Sequence, residues 1–265
     1  MAGVSLDGRG GFFNSGLDLP TAAGLGIVPG CTRAVLLGHN PNIGAGAAAD
    51  VWEGGGNFPF LAAASTLEVL STSAADTAAG TGARTVLVSG LNSAYNTISE
   101  VVTLNGVTPV ATVNQYLRVN VFTTTTSGSG EVNAGDITLR VSGGGATQCI
   151  ARAGYGFGRS AVFTVPAGFT FFMSSAVFTV LAANGATVNV AAFAIFQRSS
   201  VGNRRTPIEF QVSSTTPYMH QAKEGIVFAE KTDVTLRVTT TGQANTNVTA
   251  AAAGLLFNNA QLVGI

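Results

Sequence analysis

The run Asp233-Val234-Thr235-Leu236-Arg237-Val238 puts Val234, Leu236 and Val238 on one side of an extended chain, with Thr235 and Arg237 on the other. Asp136-Ile137-Thr138-Leu139-Arg140-Val141 repeats the layout with Ile137, Leu139 and Val141. Tyr116-Leu117-Arg118-Val119-Asn120-Val121 offers a third version, with Leu117, Val119 and Val121 as its apolar face. A period of two with Arg or Thr between apolar residues predicts half-buried strands whose second face is wet. Helical periodicity is almost absent elsewhere, and Gly, Asn, Ser and Pro punctuate the short runs. The fold class predicted is all-β, built as two tandem antiparallel β-sandwiches of jelly-roll or immunoglobulin-like type behind an extended N-terminal arm.

The two near-identical runs have companions in the same order. Thr85-Val86-Leu87-Val88 is echoed by Thr187-Val188-Asn189-Val190, and Thr108-Pro109-Val110 by Thr206-Pro207-Ile208. Collinear echoes at a roughly constant offset predict a duplicated β-domain. Gly154, Gly156 and Gly158 loosen the chain between them, so the boundaries expected are 51–155 for the first sandwich and 156–265 for the second. Within the second, Phe163-Thr164-Val165-Pro166-Ala167-Gly168-Phe169-Thr170 reads as a strand, a tight turn and a further strand. Residues 1–50 are rich in Gly and Ala with little alternation, and are expected to form an extended arm. Such an arm buries little surface alone and needs a neighbour to order it. Phe12, Phe13, Leu17 and Leu19 are its candidate anchors.

Charged residues make up 10% of the 265, against about 25% in ordinary domains. Thirteen basic and thirteen acidic residues give a formal net charge of zero. Little repulsion then keeps molecules apart, and a surface of Thr, Ser, Asn, Ala and Gly can be buried without desolvating ions. This composition predicts a subunit that lives packed against other subunits, as a symmetric homo-oligomer such as a trimer. Balanced charge argues against nucleic acid as a partner, and the adjacent pair Arg204-Arg205 reads as a solvated loop. No membrane partner is expected either. The uncharged stretch Ser160–Gln197 is broken by Pro166, Gly168, Asn184, Gly185 and Asn189, and no secretory signal is visible at the start. Cys31 and Cys149 are too few for a disulfide framework and read as two buried thiols, with a single bond between them as the alternative.

The residues that carry chemistry are sparse. His39 and His220 stand in no metal-ligand spacing, and His39 before Asn40-Pro41 reads as a loop residue. The glycine run Gly44-Ala45-Gly46-Ala47-Ala48-Ala49 follows no clear strand, and Gly154-Tyr155-Gly156-Phe157-Gly158 lacks the lysine of a phosphate loop. Asp50 and Glu53 flank Trp52, and no two carboxylates nominate a facing pair. The expectation is therefore no enzyme, no catalytic residues, no metal and no cofactor. Trp52, with Gly54-Gly55-Gly56-Asn57-Phe58-Pro59-Phe60 after it, could stack on carbohydrate, but reads better as a packing anchor and candidate assembly contact where the arm meets the first sandwich.

Val51-Trp52-Glu53-Gly54-Gly55-Gly56, Asp76-Thr77-Ala78-Ala79-Gly80-Thr81-Gly82-Ala83-Arg84-Thr85-Val86 and Val102-Thr103-Leu104-Asn105-Gly106 together resemble virion structural proteins of tailed, aquatic bacteriophages. Val165-Pro166-Ala167-Gly168 and Glu230-Lys231-Thr232-Asp233 extend the resemblance, which spans roughly residues 35–257. It implies a protein of the virion, assembled in the host cytoplasm, whose partners are its own copies and the major capsid protein or other virion proteins. The expected role is capsid decoration or cement, with a tail or fibre component that binds a host surface as the alternative. The family supplies no catalytic residues to carry over.

Overall fold

The computed structural model describes residues 19–181, 190–199, 204–215 and 218–261. A short helix, α1 (Leu19–Gly24), precedes β1 (Cys31–Ile43) and the two-residue β2 (Ala49–Asp50). Seven strands follow: β3 (Ser65–Ser71), β4 (Ala83–Leu91), β5 (Thr97–Thr103), β6 (Val110–Tyr116), β7 (Arg118–Ser127), β8 (Ile137–Val141) and β9 (Thr147–Ala151). The remaining described strands are β10 (Val162–Thr164), β11 (Phe169–Leu181), β12 (Val190–Arg198), β13 (Arg204–Ser213), β14 (Tyr218–Phe228), β15 (Asp233–Thr241) and β16 (Thr246–Asn258), followed by a 3-10 turn (Asn259–Gln261).

These strands form four antiparallel sheets. The first has the order β1-β16-β11-β14, and the second β10-β15-β12-β13 with β2 also on β15. The third runs β6-β3-β8-β9 and the fourth β5-β4-β7. One hydrophobic core lies between the first two sheets, with Leu36, Phe171, Phe178 and Phe228 facing Phe193, Ile195, Val212 and Leu236. The Phe178 and Phe193 rings meet at 4.9 Å across it. A second core lies between the third and fourth sheets, where Leu67, Tyr116, Ile137 and Leu139 meet Val86, Val88, Val102 and Phe122. Each fully buried Phe or Leu contributes about 1.5–3 kcal/mol, so each pair of sheets is held by its own core.

The two units are not in tandem. The expected arm over residues 1–50 fails in its second half, because β1 pairs with β16 from Cys31↔Phe257 to Ile43↔Thr246 and belongs to the C-terminal sheets. Its apolar residues run consecutively through Ala34-Val35-Leu36-Leu37, which hid the strand. Residues 1–18 lie outside the described part. β2 then pairs with β15 as Asp50↔Arg237, and β10 resumes the same edge as Val162↔Thr235. The single position between them, opposite Leu236, is shared by two residues. Val51 N–H donates to the Leu236 carbonyl at 2.9 Å, and Leu236 N–H donates to the Ala161 carbonyl at 3.0 Å. Ala161 N–H closes the gap to the Val51 carbonyl at 2.9 Å. The unit carrying β3 to β9 is thus inserted into one strand of the other unit, leaving and rejoining at one point.

The duplication expectation is also corrected. Asp136–Val141 supplies β8, between the first and last strands of its unit, whereas Asp233–Val238 lies in β15, between β12 and the composite edge of β2 and β10. Both core faces are as read, with Ile137, Leu139, Val234, Leu236 and Val238 inaccessible. The third run is different. The chain changes sheet at Leu117, so Tyr116 and Phe122 enter the core while Val121 is 46% exposed. The tight turn after β10 is present: Phe169 N–H donates to the Pro166 carbonyl at 3.2 Å, and Gly168 takes a φ of 77° that a side chain would strain.

Candidate functional site at the junction

Trp52 is 4% exposed and packs edge-on against Phe58 at 5.1 Å, beside Val162. Its indole N–H donates to the Gly56 carbonyl at 3.3 Å, and Gly54 leaves room for the ring. The residue is therefore an internal anchor holding the departing chain against the second sheet, not a surface for carbohydrate or a neighbouring subunit. Phe12, Phe13 and Leu17 lie outside the described residues. Leu19 opens α1, whose Ala22 and Ala23 pack with Cys31 and Leu255 at one end of the first sheet.

Around Trp52 the structure gathers charges that the sequence reading placed on wet faces. Arg118 on β7 makes a two-pronged contact with Asp233 on β15, Nε to Oδ1 at 2.8 Å and Nη2 to Oδ2 at 3.0 Å. The side chains are only 6% and 5% exposed. Thr164 donates to the same carboxylate at 2.7 Å, and Asn120 exchanges two hydrogen bonds with the Thr164 backbone. Arg237 donates to Asp50 at 2.8 Å, and Phe58 N–H donates to the other Asp50 oxygen at 2.6 Å. Arg237 and Arg118 are buried because the loop after Trp52 covers the outer face of the second sheet. An Arg in an alternating strand cannot by itself report that cover.

Glu53 forms the second knot. Its carboxylate meets Arg152 Nε at 2.8 Å, Arg159 Nη2 and His39 Nδ1 at 2.9 Å. The other ring nitrogen of His39 is 3.1 Å from Asn247 Oδ1 on the adjacent strand β16, so His39 is a strand residue that ties its own sheet to the departing chain at Glu53, not a loop residue. Arg152 also reaches Asp136 at 2.7 Å. Burial works to raise the Asp136 pKa, but the Ala153 N–H and the Arg152 guanidinium outweigh it and hold the carboxyl below its usual range. Among the described ion pairs only Arg140–Glu68 stands away from the junction.

Asp76 has another structural role. Fully buried, it accepts from Ser71 Oγ at 2.6 Å and from the N–H groups of Ala83, Ala134 and Gly135 at 2.7, 2.8 and 2.9 Å. It pins three segments of the inserted unit together. Both cysteines are free and buried, one in each unit, and burial foremost pushes the Cys149 thiol up to about 12. Among the described residues no three His, Cys, Asp or Glu side chains converge as a metal site. No described helix is long and apolar enough to cross a membrane.

The outer face of the first sheet carries exposed Arg33 near one end of β1, and beside it lie two rows without a charged residue. The register aligns Leu37, Ala251, Val177 and Met219 in one row across all four strands. Val35, Ala253, Ser175 and Gln221 form the next. Neighbouring rows of opposite orientation, such as Leu36, Ala252 and Ala176, enter the core. At the two sides of this face Val35 and Met219 are 56% and 60% exposed.

No family model and no curated protein sequence matches the chain. Among solved structures, the VP2 protein of infectious bursal disease virus in T=1 particles of a D431N mutant aligns at 12% identity, over 88% of this chain and 71% of that one, with a TM-score of 0.25. The infectious bursal disease virus Gx strain aligns at 12%, over 86% and 72%, with a TM-score of 0.25. The PBSX exported protein XepA aligns at 11%, over 95% and 93%, with a TM-score of 0.19. Likeness at this level carries no argument about what the chain does.

Proposed function

We infer that the chain is a virion structural protein, a capsid decoration or cement subunit that bridges neighbouring subunits through neutral sheet faces. Each unit is read as a β-sandwich. Counting β2 and β10 as one strand, the C-terminal unit has strand order 1-8-3-6 in one sheet and 2-7-4-5 in the other, the order of a jelly roll. The observation that carries the proposal is the placement of charge. Ions are few, and the described pairs lie almost entirely at the junction, where Arg118–Asp233 and Arg152–Glu53 tie the inserted unit to the other. Two outer rows of the first sheet, those of Leu37 and Val35, carry no charged residue, so covering them costs little desolvation. The partners proposed are other copies in a symmetric oligomer and the major capsid protein, in the virion, with no catalysis required. Many copies with weak identical contacts would sum to a stiffened shell.

A Val35→Glu, Met219→Glu double variant tests this. Both positions are exposed, so the circular dichroism spectrum and melting temperature should match the parent, while oligomerisation and binding to capsids lacking the protein are lost. Undiminished binding by the folded variant would remove this face from the proposal.

A further inference from the structure

The loop that buries Trp52 also leaves a pocket of about 270 Å³ on the outer face of the second sheet. Asn57, Phe58 and Phe60 from that loop enclose it together with Phe196, Gln197 and Arg198 at the end of β12. Asp50 and Thr235 complete its lining. Asp50 is held by Arg237 and the Phe58 N–H. Asp233, which stands opposite Arg198 in the register, is held by Arg118 through both oxygens. Arg198 itself is exposed, with its guanidinium 5.7 Å from the Phe60 ring centroid, and no described carboxylate lies within ion-pair distance. The neighbouring strand supplies no acid at this end either, because the register sets Arg204 opposite Arg198 and Arg205 opposite Gln197. The Asn57 and Gln197 amides make no hydrogen bond to any described residue.

An unpaired guanidinium, two free amides and phenylalanine walls therefore meet in one recess. The guanidinium selects an anion, with a planar carboxylate matching its donor fork. The amides offer donors and acceptors to hydroxyl groups. The phenylalanines suit an apolar ring face, which a bare phosphate would leave wet. We propose that this pocket binds a carboxylated sugar ring, a uronic-acid residue of an acidic polysaccharide. The inference stands on the free chain and does not depend on the assembly role proposed above.

Calorimetric titration of the full chain with a galacturonate trisaccharide, a neutral galactose trisaccharide and inorganic phosphate tests it. The uronate should bind, with the neutral trisaccharide and phosphate each weaker by at least about ten-fold. Arg198→Gln should weaken uronate binding by at least about ten-fold at an unchanged melting temperature, and Asn57→Ala should weaken it by a smaller factor. No uronate binding, equal binding of the neutral sugar or of phosphate, or full affinity in Arg198→Gln would each overturn the proposal.

Discussion

Arg118 and Asp233 illustrate how much rests on single side chains here. Both are nearly inaccessible, and they join strands from different units. Removing one partner leaves a buried charge unpaired, so Arg118→Met should cost about 3–5 kcal/mol in urea denaturation. Removing both, as Arg118→Met with Asp233→Leu, should cost much less, because no orphan charge remains. A double variant as unstable as the single would show that the ion pair is not the source. Glu68 gives a pH-dependent test. The Gly143 N–H first, then the Arg140 guanidinium, hold its carboxyl below the ordinary value of 4.5 against burial, with the Gly144 N–H adding to them. A depressed folded-state value means the stabilisation is complete above pH 4.5 and is lost as pH falls through the lowered value. Glu68→Gln should flatten that part of the stability–pH curve, and unchanged curvature would refute the assignment. Neither role was legible in sequence. Arg118, Arg140 and Arg237 occupy the same position in an alternating run, yet only the covering loop decides which of them is buried.

Strands were easier to read than their partners. Alternation correctly located the core faces of β8 and β15, because each sits in a sheet with one face on a core. It failed for β1, whose outer face also carries apolar residues, and at Leu117, where the chain changes sheets between β6 and β7. A long-range crossing leaves no local pattern. The interrupted strand has its own pressure point at Gly38. A Cβ there would overlap the Val51 carbonyl oxygen and the Ala161 backbone nitrogen, both of which belong to the ladder position where the inserted unit departs and returns. Gly38→Val should therefore destabilise by about 1–3 kcal/mol or more, read from the melting temperature. A melting temperature equal to the parent's would mean the junction is looser than the hydrogen bonds indicate.

At the scale of the molecule, insertion sets how the two cores are joined. Two cores joined at one point could swing, but Glu53, Arg118, Arg152 and Asp233 fix the join with buried or half-buried ion pairs. The few ions thus leave two features visible together: ion pairs at the join and uncharged rows on the outer face of the first sheet. Composition alone pointed to a life among neighbours, whereas the inserted topology came only from the register on either side of Leu236. The proposed role in a virus particle is tested most directly by copy number, through quantitative mass spectrometry of purified virions against the major capsid protein. A capsid decoration subunit should be present on the order of hundreds of copies, as repeated sites on a symmetric shell require. Absence of the chain from purified virions would contradict the account.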